Sequence, residues 1–308
     1  MDLKDRKVLV TGGAGFIGSH LIDELVDKKA NVIIVDNLST GLIDNVNPKA
    51  KFYEIDILSK GIEKLFSAEK PEFVYHFASN TNVPKSIAEP LYDFQSLIGA
   101  MNILENCRNK NVARLIFTSS GFIYGNTAKR PINEKEPYRP ISPYAITKKT
   151  IESYLEFYKK IFDLSYVVLR LATVYGPRQR TGAIADYIRQ LSQNKQAEFF
   201  GSGLKTRDYI FVEDVVDVLI KTLDIPLDFE DPCFNIGTGI ETTLDELYSM
   251  IADYLKKDPH PIYRPERPGE LFGYSLDFSK AKEIMQWEPR HSLVHGLEKT
   301  LSWWGFVK

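Results

Sequence analysis

The segment VLVTGGAGFIGSHL, residues 8–21, passes from an apolar β-branched run through a glycine cluster into a helical pattern. Few folds tolerate that order. Gly12, Gly15 and Gly18 form a GxxGxxG pattern, and Gly13, Gly15 and Gly18 also satisfy GxGxxG. Such glycines permit a tight turn and close backbone approach to a pyrophosphate. The helix that follows offers free N–H groups and a positive dipole end. The next apolar run, NVIIV, ends at Asp36, where a carboxylate can accept bonds from adenosine ribose hydroxyls and would repel a 2′-phosphate. The pattern therefore favours NAD over NADP. The alternative is a simple glycine turn with a surface Asp.

The rest of the chain fits that start. KVLVT (7–11), NVIIV (31–35), KFYEI (51–55), EFVYHFA (72–78) and ARLIFTSS (113–120) are short and almost continuously apolar, as strands buried on both faces are. Helical patterns lie between them at 15–28, 60–68 and 91–110. This alternation predicts an α/β fold, a Rossmann-type doubly wound parallel sheet with helices on both faces. SYVVLRLATVYG (165–176) reads as a sixth strand. Beyond it the pattern is less regular, with helical stretches near 182–194, 213–224, 243–256 and 292–304 and strand-like pieces AEFFG and DPCFNIG. The expected division is a dinucleotide-binding domain over 1–173 plus about 208–240, and a smaller C-terminal lobe over 174–207 and 241–308. Asp56, after the third strand, falls where an adenine would lie; a strand-end turn carboxylate is the competing reading.

At 308 residues, with 44% hydrophobic and 26% charged residues, the chain has material for one large domain or two smaller ones. A net charge of −2 provides no field to attract nucleic acid or an anionic membrane, so any anionic ligand must be held locally. Two distant cysteines, Cys107 and Cys233, lack CxxC spacing and suggest a reducing compartment. No signal-peptide core or membrane-length apolar run is present, which points to the cytoplasm. The His and Cys residues show no metal-ligand spacing. His76 reads as a core histidine, and Trp287, Trp303 and Trp304 as packing for the small lobe.

SPYAITKKT, residues 142–150, places Tyr144 and Lys148 one helical turn apart on one face. Alone, this spacing reads as a Tyr packed over a Lys stem. With a dinucleotide loop upstream and Ser119 and Ser120 ending the fifth strand, it reads as chemistry. Ligands of open α/β sheets bind beyond the carboxyl ends of strands, so Ser120, Tyr144 and Lys148 can converge on the nicotinamide end. A free phenol titrates near 10, leaving about one in a thousand ionised at neutrality. A neighbouring ammonium and a positive nicotinamide both favour the anion. Each tenfold gain in acidity corresponds to roughly 1.4 kcal/mol. Lowered by about two or three pH units, Tyr144 becomes a usable proton acceptor. Lys148 is also expected to hold the nicotinamide ribose, and Ser120 to orient the substrate oxygen.

The ordered motifs TGGAGFIGSHL, VDNLSTG, HFAS, SSGFIYG, YAITK, RLATVYGPRQ, TRDYIFVEDVV, FNIGTG and RPGE resemble the extended short-chain dehydrogenase/reductase family over nearly the whole chain. Within it the chain is similar to the NAD-dependent nucleotide-sugar epimerases and dehydratases, the UDP-glucose 4-epimerases especially. The resemblance implies that NAD is bound by Gly12, Gly15, Phe16, Ile17, Gly18, Asp36, Asn37, Asp56, Ile57, Ala78, Tyr144 and Lys148. It implies that Arg207 and Arg267 clamp the diphosphate of a UDP-hexose, since Arg offers bidentate contacts to phosphate. It further implies that Glu270 accepts from the uridine ribose, that Phe200 lines the base pocket and that Thr173 and Ser120 face the sugar and its phosphates. Tyr274, four residues after Glu270, would limit the room around the sugar and disfavour an N-acetyl group. A homodimer through the helices at 91–110 and 143–161 is implied in the same way.

The chain departs from the family pattern at Thr173, Ser96 and Thr81, where relatives often carry Asn, Asn and Lys. More telling are Gly121 and Phe122, directly after Ser120. Resembling dehydratases carry Asp-Glu or Ser-Glu there, and a resembling decarboxylase carries Glu at the second position, acids that can move a proton. Glycine and phenylalanine cannot. Epimerisation at C4 through a transient 4-keto sugar is therefore the expected reaction, of the galactose-metabolism type. Another nucleotide-sugar epimerase, a reductase or a dehydratase of the same family, and a non-catalytic dinucleotide sensor, are the alternatives; a sensor would not need Ser120, Tyr144 and Lys148 together.

Overall fold

The computed structural model describes residues 1–258, 260–267 and 269–306. Pro268 of the RPGE motif and the last two residues of the expected small lobe lie outside them. The first half alternates strands with helices: β1 (Lys7–Thr11), α1 (Phe16–Asp27), β2 (Asn31–Asp36), β3 (Lys51–Glu54), α2 (Gly61–Glu69) and β4 (Phe73–His76). It continues with α3 (Val83–Ala88), α4 (Leu91–Asn109), β5 (Arg114–Ser120), α5 (Pro143–Phe162), β6 (Tyr166–Leu171) and β7 (Thr173–Tyr175). The second half contains α6 (Ala183–Ser192), β8 (Glu198–Phe200), β9 (Thr206–Arg207), β10 (Tyr209–Phe211), α7 (Val212–Lys221) and β11 (Cys233–Ile236). Last come β12 (Thr242–Thr243), α8 (Leu244–Leu255), β13 (Ile262–Arg264), α9 (Ser279–Met285) and α10 (Leu293–Trp303).

Seven parallel strands form the main sheet in the order β11-β6-β5-β4-β1-β2-β3. The order reverses between β1 and β4, which opens a crevice at their carboxyl ends. The register brings those ends level: Thr11 pairs with Val35 and His76, His76 with Phe117, and Ser120 with Leu171. Two apolar layers sandwich the sheet. On one face α1 and α7 cover Val8, Val10, Ile34 and Tyr75. On the other, α2, α4 and α5 cover Leu9, Ile33, Val74 and Phe117. A third cluster, around Tyr187, Phe199, Tyr248 and Leu297, joins α6, α8 and α10.

Three expectations change. The sixth strand is not continuous: it divides at Ala172. Ala172 donates its N–H to Ile236, whereas Thr173 donates to Asp208, so the chain leaves the main sheet and β7 pairs with β10. Second, α3 and α9 were not legible as helices; each spans six or seven residues, too few to establish a period. Third, Trp287 does not pack the small lobe. It is buried against Phe278 in the α1–α7 layer, and its indole N–H donates to the Asp214 carbonyl. Trp303 is largely exposed under Arg180, and Trp304 alone joins the third cluster.

Candidate active site

The glycine loop is shaped by close approach. Gly12 has φ +70°, and a Cβ on it would lie 2.8 Å from the backbone nitrogen of Ala78; one on Gly18 would lie 2.5 Å from the Gly12 carbonyl. Gly15 caps α1 without a side-chain bond, and the first i to i−4 bond runs from Ser19 to Gly15. The N–H groups of Phe16, Ile17 and Gly18 thus remain free at a positive helix end that carries no acidic side chain in its first turn. Asp36 ends β2 and is buried. Its carboxylate accepts from Ala14 N–H at 3.0 Å and Leu38 N–H at 2.8 Å, contacts that favour the anion while burial raises its pKa. Asp56 accepts from the Asn37 amide at 2.9 Å and from Leu58 N–H. Ile57 is wedged against Gly99 of α4. These donors, the small turn and the acid at the second strand end fit a dinucleotide without a 2′-phosphate.

Ser120, Tyr144 and Lys148 come together as expected. Ser120 ends β5, and its hydroxyl accepts from Phe122 N–H. Ser142 caps α5 by accepting from Ala145 N–H, with Pro143 at the first helical position, so Tyr144 falls in the first turn. Lys148, 4% exposed, donates to the Thr118 carbonyl at 2.9 Å and Ser79 Oγ at 3.2 Å. Its Nζ is 5.9 Å from the Tyr144 ring centre. The sequence pointed to HFAS only as a motif; Ser79 within it is the group that holds the lysine.

The electrostatics differ from expectation. Tyr144 is half-buried as a residue, and burial of its phenol pushes its pKa up to about 12, with Ser120 opposing. Burial also lowers Lys148 to about 8, with Asp93 and Glu152 opposing. The ammonium is spent on neutral oxygens, and protein groups alone keep the phenol protonated at neutral pH. His76 is a core histidine as expected: it bonds Thr11 Oγ1 at 2.7 Å, and burial lowers it to about 3.

Beside this group stands an aromatic wall. Phe122 meets Tyr144 edge-on at 6.2 Å and Tyr274 at 5.3 Å. Tyr274 is buried and its hydroxyl bonds Thr173 Oγ1 at 2.8 Å. The Arg207 guanidinium lies 5.8 Å from the Phe122 ring centre and donates to the Thr206 carbonyl. Further out, Arg267 lies 3.3 Å over Phe200, and Glu270 accepts from the buried Lys205 at 2.8 Å. Lys205 is a partner that sequence reasoning missed; an isolated Lys in a loop carries no signal. Ser96, on α4, accepts from Asn80 N–H.

A sheet of this order, a glycine turn feeding α1 and a Tyr–Lys helix at the strand ends define a dinucleotide-binding α/β protein of extended short-chain dehydrogenase/reductase type. Residues 8–237 match the model of the NAD dependent epimerase/dehydratase family, and the chain belongs to that family. Its cofactor is NAD. The chain is 37% identical over 302 residues to a putative UDP-glucose 4-epimerase of Methanocaldococcus jannaschii, covering 96% of this chain and 97% of the relative. It is 40% identical to a UDP-glucose 4-epimerase of Thermotoga maritima solved with UDP-glucose, with a TM-score of 0.92 over 97% of this chain and 98% of that one. A UDP-N-acetylglucosamine 4-epimerase of Methanobrevibacter ruminantium, solved with UDP-N-acetylmuramic acid, is 32% identical with a TM-score of 0.90, covering 98% of each chain.

Proposed function

We propose that the protein interconverts UDP-glucose and UDP-galactose by epimerisation at C4. The observation that carries this reading is the space beside Gly121. A Cβ there would lie 2.9 Å from the Tyr274 ring, so an acid at this position would have to displace that ring, and the next position, Phe122, carries none. The relatives' activities and the Ser120–Tyr144–Lys148 grouping support the same reading.

Bound NAD supplies the hydride acceptor and, on return, the donor. Tyr144 takes the proton of the C4 hydroxyl and gives it back after the 4-keto sugar has turned within the site. Ser120 orients that oxygen. Lys148 holds the nicotinamide ribose with its remaining proton, and Phe16, Ile17 and Gly18 present N–H groups to the pyrophosphate. Asp36 and Asn37 would hold the adenosine ribose, and Asp56, Ile57 and Ala78 would line the adenine site. Arg207 and Arg267 leave their aromatic seats for the sugar diphosphate, Glu270 meets the uridine ribose, Phe200 the base, and Thr173 and Tyr274 close the sugar pocket. In this reading residues 1–173 and about 208–240 carry the cofactor, and 174–207 and 241–308 carry the sugar nucleotide, with α9 folded back onto β11.

The exposed faces of α4 and α5 support a homodimer: Leu91, Phe94 and Ile98 on one helix, and Ile146, Phe157 and Ile161 on the other, are 44–82% exposed. No described helix is long and apolar enough to cross a membrane. The two buried free thiols, Cys107 and Cys233, support a cytoplasmic, reducing location, where galactose metabolism would employ the enzyme.

The test is incubation of the purified protein with UDP-galactose without added cofactor, followed by product separation. UDP-glucose supports epimerisation, and a 4-keto-6-deoxy product would replace it with dehydration. Turnover of no UDP-hexose would end the proposal.

A further inference from the structure

Asp93 is a buried acid that the chemistry above leaves unused. It sits on α4, 2% exposed, one turn before Ser96, and its Oδ2 has no hydrogen-bond partner among the described residues. Other buried acids are visibly engaged. Asp36 holds two backbone N–H groups, Asp208 holds Thr238, Gly239 and Leu276, Asp214 holds Arg290 and His291, and Glu152 holds Arg170. An unpaired carboxylate oxygen in the interior is costly unless a charge answers it.

Its surroundings supply that answer. Its helix packs on α5, where its charge acts on Lys148 and Tyr144, with Glu152 one turn beyond Lys148. From β4 comes His76, which burial keeps neutral. The buried residues of α2, Ile62, Leu65 and Phe66, are apolar, and Lys85 of α3 is turned over the Tyr92 ring. The Ser86 side chain of α3 lies near the Asp93 carboxylate and favours its anion, and Ser86 Oγ accepts from the Tyr144 backbone N–H at 2.9 Å. A hydroxyl has one proton: donated to Asp93, it leaves a lone pair for Tyr144. That amide is in the first turn of α5 and has no acceptor within its own helix. Lys148 itself bonds only neutral oxygens, Ser79 Oγ and the Thr118 carbonyl.

We infer that Asp93 is a positioning residue for the Tyr144–Lys148 pair: through Ser86 it anchors the turn that carries Tyr144, and its charge answers the buried Lys148 ammonium. The inference rests on the role proposed for that pair. Asp93 favours the charged lysine and disfavours the phenolate. Removing the charge therefore lets both groups lose their protons at lower pH.

The NAD-loaded enzyme and its Asp93→Asn and Ser86→Ala variants test this. In Asp93→Asn the rising limb of the kcat profile should move about one pH unit toward acid, with KM unchanged. A profile that superimposes on that of the parent overturns the inference. Ultraviolet titration of the phenolate, with Tyr144→Phe protein as the baseline, reads the same displacement without turnover. It decides the inference even if no UDP-hexose proves to be a substrate. Ser86→Ala should lower kcat about tenfold through a misplaced Tyr144, and Ser86→Thr should restore it. Should Asp93→Asn fail to fold, parental kcat in Ser86→Ala overturns the inference.

Discussion

The hydroxyls of Thr173 and Tyr274 meet at 2.8 Å, tying the first residue of β7 to a ring that lies edge-on against Phe122. Burial keeps that phenol protonated. The ring is held at its tip and along its edge, and in the proposed site it would limit the room for a bulkier sugar. Tyr274→Ala should raise turnover of a UDP-N-acetylhexosamine relative to UDP-galactose by about tenfold or more. Competition assays with the two substrates measure the ratio; an unchanged ratio would place the size limit elsewhere.

Tyr144 stands near 12 because burial outweighs Ser120. A cationic nicotinamide should favour the phenolate, lowering its titration by about two pH units or more. The acting form is the deprotonated one, so kcat/KM should rise with pH through the lowered value. Spectroscopic titration with and without oxidised NAD checks the first step. Equal titration in both states would remove the cofactor as the acidifying charge.

Arg170 and Glu152 form a buried pair joining β6 to the Tyr144 helix, with bonds of 2.9 and 3.2 Å, and Arg170 also donates to Tyr124 and Tyr138. Arg170→Met leaves the buried Glu152 carboxylate with only Lys149, 3.5 Å away, and should cost about 3 kcal/mol in urea unfolding. The double change Arg170→Met with Glu152→Met should cost less, because no charge is left unanswered.

The apolar faces of α4 and α5 should mate with those of a second copy. Phe94→Glu together with Phe157→Glu, both about half exposed, should yield a monomer in analytical ultracentrifugation while leaving the far-ultraviolet spectrum unchanged. A single species of unchanged mass in that variant would move the interface to another surface.

Much of the fold was legible because buried parallel strands are continuous apolar runs: β1, β2, β4 and β5 were found to within two residues at each end. The division at Ala172 was not, since Ala-Thr-Val within an apolar run gives no sign that the backbone changes partner. Ser120, Tyr144 and Lys148 were readable from motif and spacing. Ser79, Ser86 and Asp93 were not, because their meaning comes from contacts with residues up to 69 positions away. The acidity of Tyr144 was misjudged for the protein alone because burial depth, which sets it, is a tertiary property.

On the proposed binding, Asp36 would do two jobs with one carboxylate: besides meeting the ribose, it props the loop through Ala14 and Leu38. Nucleotide preference and loop shape are therefore inherited as one trait. An engineer seeking a phosphorylated coenzyme would have to rebuild the hinge of the cradle as well as its charge, which makes drift between the two coenzymes by single steps a poor evolutionary path for this chain.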